Sequence, residues 1–119
     1  MSCKLLALVA FCLIFLNVRA ADHNLRQCAD TSLAKSLICE DDIRISGKFL
    51  HQITEIVDCP KYGVQSNKIS CIIVTNQLGE NGGEVTITDG GINYYNVEIA
   101  LKSQVSKGLN YHVEVYTDP

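Results

Sequence analysis

The sequence predicts an all-β protein, a small antiparallel β-sandwich or barrel-like domain that is stabilised by disulfide bonds and follows a cleaved signal peptide. Three observations support this expectation. Short runs rich in Ile, Val, Tyr and Thr alternate with turn-forming Gly, Pro and Asn residues. An uncharged apolar stretch opens the chain, and four further cysteines come after it. The segments between the runs leave no room for the crossover helices that a parallel sheet requires.

Residues 1–20 have the pattern of a signal peptide. Lys4 supplies a positive charge, the run Leu5–Leu16 is uncharged, and Val18 and Ala20 place small side chains where a signal peptidase reads. A helix over this run would be about 18 Å long, which is short of the roughly 30 Å hydrocarbon core that a membrane anchor must cross. We therefore expect cleavage after Ala20 and a secreted, extracellular protein.

The remaining chain, residues 21–119, is predicted to be one acidic domain. Loss of Lys4 and Arg19 leaves eight Lys and Arg against thirteen Asp and Glu, a net charge of −5. The basic residues are scattered singly, whereas phosphate binding requires them in clusters, so we expect no direct contact with nucleic acid. Since no other segment reaches eighteen apolar residues, we expect no membrane span in this part of the chain.

Four cysteines remain after the signal peptide: Cys28, Cys39, Cys59 and Cys71. An even number in a secreted chain predicts two disulfide bonds, each stabilising the fold by about 2–4 kcal/mol. Three connectivities are possible. The pairs Cys28–Cys39 and Cys59–Cys71 close two short loops and are preferred. A zinc site is the alternative, but the chain lacks a Cys-x-x-Cys pair and its histidines are isolated in sequence.

An amino-terminal arm with two cysteines, residues 21–46, is predicted to precede a β domain at residues 47–119. The arm is ambiguous, because Asp30 and Thr31 could cap a short helix through Leu37 while the cysteines favour an extended, disulfide-linked segment. The predicted strands are Ile43–Ile45, Phe49–Val57, Ile69–Asn76, Val85–Thr88, Val97–Ser103 and Tyr111–Tyr116.

The last two predicted strands should pair as a hairpin, because apolar and polar residues alternate in both. A register that places Leu101 opposite Val113 brings both apolar rows to one face. The same register places Lys102 opposite His112 on the solvent-exposed face. The run Ile69–Val74 is instead apolar on both faces, which predicts a central strand covered on both sides.

The sequence contains no recognisable catalytic or metal-binding motif. His51 lies in a predicted strand with no nucleophile or acid marked beside it. The run Glu40–Asp42 could attract calcium, yet no loop of alternating oxygen ligands with a central glycine follows. Neither Gly82-Gly83 nor Gly90-Gly91 lies between a strand and a helix, as a phosphate-binding loop would. We expect no enzymatic activity and no cofactor.

The carboxy-terminal part carries a more specific pattern. It consists of a Gly-Gly turn, a strand that ends in Lys-Ser-Gln, a loop with a glycine, and a closing strand Asn-Tyr-x-Val-Glu-Val-Tyr. The residues that carry it are Gly90, Gly91, Val97, Lys102, Ser103, Gln104, Gly108, Asn110, Tyr111, Glu114 and Tyr116. The pattern resembles the multiprotein bridging factor 2 family of insects, with similar order and spacing from Gly47 to Tyr116. One departure is Val105–Gly108, where the family has Arg-Gly-x-Gly.

The resemblance implies two functions that conflict. The family takes its name from a silkworm coactivator that bridges a nuclear receptor and the general transcription machinery, while many relatives are described as salivary or venom peptides. Because a signal peptide and paired cysteines direct the chain outside the cell, we expect a non-enzymatic insect protein of saliva or venom that binds an extracellular protein or host target. The alternatives are the coactivator role and a carrier of a small apolar ligand in the sandwich interior.

Overall fold

The structure is a computed structural model that describes residues 23–28, 32, 36–63 and 65–118. The predicted signal peptide lies outside the described residues. The described strands are β1 (Leu25–Gln27), β2 (Ser36–Ile45), β3 (Thr54–Cys59), β4 (Ile69–Asn76), β5 (Glu84–Gly90), β6 (Val97–Lys102) and β7 (Leu109–Thr117), with a short 3₁₀ turn at Gly79–Asn81. They form two antiparallel sheets, which confirms the predicted all-β class.

Most strands that follow each other in sequence lie in different sheets. Sheet A has the order β1-β4-β7-β2, and sheet B has the order β3-β6-β5. Within the described strands, β5 and β6 are the only consecutive pair joined by hydrogen bonds. The chain therefore passes from one sheet to the other at most of its connections, so the loops at each end of the sandwich lie side by side.

The core lies between the sheets and is formed mainly by the inner strands β4, β6 and β7. These strands are rich in β-branched residues, whose side chains pack well on a pleated surface, and alternate residues point inward. The fully buried members include Ile69, Ile72, Val74, Val97, Ile99, Leu101, Tyr111, Val113 and Val115. Burial of each such aliphatic side chain stabilises the fold by about 1.5–3 kcal/mol, so the side chains packed between the two sheets supply most of the packing energy.

The predicted hairpin of the last two strands is wrong. Leu101 is paired with neighbours in sheet B, and Val113 with neighbours in sheet A. Lys102 and His112 consequently lie on different sheets. Both strands do turn one apolar row inward, as predicted. Two strands that face each other across a sandwich show the same alternation as two strands of a hairpin, so periodicity alone does not distinguish them.

The central position of the Ile69–Val74 run is confirmed, since β4 lies between β1 and β7. The prediction that both of its faces are covered is correct only in part. Ile72 and Val74 point into the core, whereas Ile73 is half-buried on the outer face of sheet A, opposite Arg26. An inner strand of a two-layer sandwich has one face toward the core and one toward solvent.

The strand predicted at Ile43–Ile45 is much longer in the structure, where β2 begins at Ser36 in the amino-terminal arm. β2 pairs with β7 along its whole length, from Ser36 opposite Thr117 to Ile45 opposite Leu109. The inward row of β2 includes Asp41, which breaks the apolar alternation and hides the first part of the strand in the sequence. The predicted strand Phe49–Val57 is shorter in the structure, because its first residues form a loop and β3 begins at Thr54.

The preferred disulfide pairing is wrong, although both bonds form. Cys28 is joined to Cys71, with Cα atoms 4.4 Å apart, and Cys39 is joined to Cys59, with Cα atoms 6.1 Å apart. The strands β1 and β2 lie at opposite edges of sheet A, about 14 Å apart at the usual strand spacing. That separation exceeds the roughly 7 Å limit for a disulfide, so closeness in sequence was a poor guide to pairing.

The two bonds have different structural roles. The first links neighbouring strands, because Cys28 continues the register of β1 and lies opposite Cys71 of β4. The second links the edge strand β2 of sheet A to the edge strand β3 of sheet B. The Cys39–Cys59 bond thus closes one side of the sandwich covalently.

Candidate functional site

The family-pattern residues at the β5–β6 connection are required by the turn. Gly90 has a φ of +67° and Gly91 a φ of +120°, a region that residues with a Cβ rarely adopt. A Cβ on Gly90 would lie 2.0 Å from the carbonyl oxygen of Asn96. Val97 and Tyr111 of the same pattern are buried in the core. This part of the pattern therefore specifies the fold.

The Lys-Ser-Gln segment holds neighbouring loops together. Ser103 Oγ accepts a 2.7 Å hydrogen bond from the main-chain N–H of Ile53, and the N–H of Ser103 donates to the Ile53 carbonyl at 2.7 Å. The Gln104 side-chain amide donates to the carbonyl oxygens of Glu80 and Gly82, at 2.8 and 2.7 Å. Ser103 is buried while the Lys102 side chain is exposed. Ser103 and Gln104 therefore act as braces between loops.

Gly108 and Asn110 complete the structural part of the pattern. A Cβ on Gly108 would lie 2.1 Å from the carbonyl oxygen of Ile45, so the glycine allows the main chain at Gly108 to approach the main chain at Ile45. The carbonyl of Asn110 accepts a 2.9 Å hydrogen bond from the N–H of Gln77. The remaining pattern residues, Glu114 and Tyr116, lie instead on the outer face of sheet A.

The outer face of sheet A carries a cluster of ionisable side chains. Its members, named here the His112 cluster, are Glu40, Asp42, His112, Glu114 and Tyr116. They are brought together by the register of β2 and β7, in which Asp42 lies opposite His112 and Glu40 lies opposite Glu114. Neighbouring residues of a strand point to opposite faces, so Asp41 is turned away from this cluster.

His112 is the centre of the cluster. Its Nδ1 atom lies 2.7 Å from Asp42 Oδ1, and its Nε2 atom lies 3.1 Å from Glu114 Oε1 and 3.4 Å from Glu40 Oε1. The Tyr116 hydroxyl donates a hydrogen bond to the Glu114 carboxylate. Carboxylates directly opposite each other on a sheet repel, so a protonated imidazole between Glu40 and Glu114 stabilises the pairing of β2 with β7.

His112 and Tyr116 retain their protons more strongly than isolated side chains do. The hydrogen bond to Asp42 raises the pKa of His112 above its ordinary value, aided by the charges of Asp42, Glu114 and Glu40 and opposed by partial burial. The hydrogen bond to Glu114 likewise raises the pKa of Tyr116, together with burial and the nearby carboxylate charges. With His112 protonated, three carboxylates against one imidazolium still leave the cluster negative, while Arg26 and Arg44 lie elsewhere on the same face.

A groove adjoins this face at the edges of β2 and β3. It has a volume of about 360 Å³ and is lined by Ile38, Cys39, Glu40, Asp41, Val57, Asp58, Pro60, Lys61, Tyr62 and Val113. Asp41 and Lys61 form an ion pair of 3.0 Å across it, and the hydrogen bond in this pair raises the pKa of Lys61.

The Glu-Asp-Asp run considered for calcium is divided between the outer face and the groove. In the described ranges, no group of three or more His, Cys, Asp or Glu side chains is arranged to hold a metal ion.

Sequence reasoning identified Glu114 and Tyr116 by resemblance and the acidic run by composition, but it did not bring them together. The missing information was the pairing of β2 with β7, since His112 and Asp42 are seventy residues apart in sequence. The sequence offered one signal for this strand: Glu40, Asp42 and Arg44 are charged at every second position, as on the solvent-exposed face of a β-strand.

Fold and surface together define a disulfide-linked β-sandwich with a cluster of carboxylates on one outer face. A family model described as transcription activator MBF2 matches residues 27–117. The chain therefore belongs to the MBF2 family, and the match includes β2 and all four described cysteines. The suspected family is thus confirmed, and it extends into the arm beyond the part where the resemblance was noted. Comparisons with curated proteins and with solved structures gave no match.

Within the part of the chain that the structure describes, no helix has the length and apolar character needed to cross a membrane.

Proposed function

We propose that this protein is secreted and acts outside the cell by binding a partner rather than by catalysis. The observation that carries the proposal is the pair of disulfides Cys28–Cys71 and Cys39–Cys59, which join strands of the folded domain. Such bonds form and persist in the secretory pathway and outside the cell, and cytosol and nucleus keep thiols reduced. The signal-peptide pattern of residues 1–20 supports the same compartment.

The His112 cluster on the outer face of sheet A is the surface we assign to the partner. The His112 cluster presents Glu40, Asp42 and Glu114 beside one another, on two strands that the family pattern and the core hold in register. A rigid array of carboxylates attracts a partner with basic side chains and orients it by charge complementarity. In an insect, a host protein met by saliva or venom is the kind of partner expected.

The description of the family model favours a second candidate, a transcription activator. The carboxylates of the His112 cluster are compatible with a bridging role that needs no DNA contact. The disulfides oppose this candidate, because a nuclear protein would have to keep its fold with both bonds reduced. A carrier of a small apolar ligand is less favoured, because the buried side chains of β6 and β7 fill the space between the sheets and would have to be displaced.

Expression in cultured insect cells separates the two main candidates. Medium and lysate are collected, and the intact mass of the protein is measured with and without a reductant. Secretion predicts a chain from Ala21 to Pro119 in the medium, lighter by four hydrogens than its reduced form. The activator candidate predicts a chain with Met1 or its processed neighbour in the lysate, whose mass the reductant leaves unchanged.

A further inference from the structure

One end of the sandwich carries an exposed apolar tip formed by two loops. The first loop connects β2 to β3 and the second connects β6 to β7, and we name residues 47–51 and 104–107 the two-loop tip. The loops meet because Ile45 at the end of β2 lies opposite Leu109 at the start of β7. Three large apolar side chains of the tip are exposed to solvent: Phe49 (82%), Leu50 (70%) and Val105 (55%).

The tip is braced by hydrogen bonds between its loops. The N–H of Leu50 donates to Ser106 Oγ at 2.8 Å, and the N–H of Ser106 donates to the carbonyl of His51 at 2.8 Å. Within the loops, His51 donates to Lys48 and Lys107 donates to Gln104 through the main chain. The exposed apolar side chains are thus presented by an ordered structure.

The backbone of the tip adopts conformations that its residues disfavour. Leu50 has a φ of +61° and Ser106 a φ of +68°, both in the left-handed region. A leucine in this region is a steric outlier, and the fold tolerates it only because the bonds to the opposite loop fix it. A glycine would adopt this backbone conformation without strain. The presence of an exposed leucine at a strained position therefore points to a functional role for its side chain.

Basic residues flank the apolar tip in an otherwise acidic protein. Lys48 belongs to one loop and Lys107 to the other, and both are exposed. Among the described residues neither lysine takes part in an ion pair. Two carboxylate residues lie at the same end: Glu80, whose carbonyl accepts a hydrogen bond from Gln104, and Glu84, which lies opposite Lys102. Lys48 and Lys107 therefore form a positively charged rim beside the exposed apolar side chains of the tip.

The carboxylates of the His112 cluster lie away from this tip. Asp42 is three residues along β2 from Ile45, Glu40 is five residues from Ile45, and Glu114 is five residues along β7 from Leu109. At the rise of an antiparallel strand, Asp42 lies about 10 Å and the two glutamates about 17 Å from the tip end of their strands. These distances exceed the roughly 8 Å screening length at physiological ionic strength, so the carboxylates do not cancel the attraction of the rim for anions.

We propose that the two-loop tip inserts into the interface of a membrane that contains anionic lipids. Phe49, Leu50 and Val105 would enter the boundary between head groups and acyl chains, while Lys48 and Lys107 contact lipid phosphates. Apolar insertion and attraction to anionic lipid reinforce each other in peripheral membrane binding. The positive charge of the rim is complementary to anionic lipid head groups, whereas an uncharged apolar ligand offers the two lysines no opposite charge. This inference does not rest on the proposed extracellular function.

The absence of tryptophan from the sequence allows a direct test of insertion. Phe49→Trp places a single fluorophore at the tip, and Tyr62→Trp places one at the opposite end, where Tyr62 is 91% exposed. With phosphatidylcholine vesicles that contain phosphatidylserine, the emission of the Phe49→Trp variant is expected to shift to the blue and that of the Tyr62→Trp variant to stay unchanged. Vesicles of phosphatidylcholine alone should give a smaller shift.

Co-sedimentation with the same vesicles tests the residues. The double variants Phe49→Ser with Val105→Ser, and Lys48→Gln with Lys107→Gln, are each expected to lower binding by roughly tenfold or more. Tyr94→Ser and Lys68→Gln, exposed residues at the other end, serve as matched controls and should bind like the wild type. Unchanged circular dichroism of each variant checks that the fold is intact.

Three outcomes would overturn the proposal. The first is no blue shift of the Phe49→Trp variant with anionic vesicles, or an equal shift of the Tyr62→Trp variant. The second is wild-type binding by both double variants. The third is a blue shift without vesicles that grows with protein concentration, accompanied by dimers in sedimentation, which would assign the tip to contact between copies of the chain.

Discussion

His112 of β7 lies 2.7 Å from Asp42 of the edge strand β2, although the two residues are seventy positions apart in the sequence. This contact joins the amino-terminal arm to the family pattern and holds the His112 cluster together on the outer face of sheet A. It also makes the stability of the β2–β7 pair depend on the protonation of His112.

The unfolding free energy should fall as the pH rises above about 6.5, the ordinary pKa of histidine. The pKa of His112 is raised in the folded state, so its contribution is fully present below that value and is lost as the pH passes through the raised pKa. His112→Gln should abolish this pH-dependent part, which we expect to be about 1 kcal/mol or less because the cluster is partly exposed. Urea unfolding at pH values on both sides of the transition measures it, and His51→Gln, in an exposed loop, is the control.

Ser103→Ala should destabilise the fold by about 1–3 kcal/mol, because it leaves the N–H of Ile53 without the acceptor Ser103 Oγ. Ser66→Ala is the matched control, since Ser66 lies in an exposed part of the β3–β4 connection. Thermal unfolding compares the two variants. Equal midpoints for both would contradict the assignment of Ser103 as a brace.

A pair of aspartate substitutions distinguishes the two faces of sheet A. Val113→Asp should prevent folding, because Val113 is fully buried and a lone carboxylate has no partner in the core. Ile73→Asp should leave a folded but less stable protein, since Ile73 is half-buried on the outer face opposite Arg26. Circular dichroism and solubility report the result, and a cooperative Val113→Asp variant would show that the core is misassigned.

Two glycines with positive φ should respond differently to alanine. Gly90→Ala is expected to cost more than about 2 kcal/mol, because its Cβ would strike the Asn96 carbonyl as well as adopt a disfavoured conformation. Gly79→Ala should cost only about 1 kcal/mol, since nothing lies within 4 Å of its Cβ position. Chemical unfolding of both variants measures the difference, and a smaller effect at Gly90 would contradict the turn geometry.

The class of fold and most strand positions could be predicted from the sequence, because they depend on local composition and period. The partners of the strands could not. Leu101 and Val113 belong to different sheets, yet their alternating neighbours look like a hairpin. Likewise Asp41 in the inward row of β2 concealed the first part of this edge strand, and with it Glu40 and Asp42 of the His112 cluster.

The disulfide pairing failed for the same reason. Short loops favour bonds between cysteines that are near in sequence, whereas the topology puts β1 and β2 at opposite edges of one sheet. The residues recognised through resemblance were a better guide, because Gly90, Ser103 and Gly108 are constrained by close main-chain contacts that any chain with this fold must make.

We propose that this domain folds as a disulfide-linked sandwich in an oxidising environment. The decisive test is proteolytic mapping without reductant, on protein recovered from the medium of expressing insect cells. Two linked peptide pairs are expected, Cys28 with Cys71 and Cys39 with Cys59, at near-complete occupancy. Recovery of free thiols at these four cysteines, or of Cys28 linked to Cys39, would contradict it.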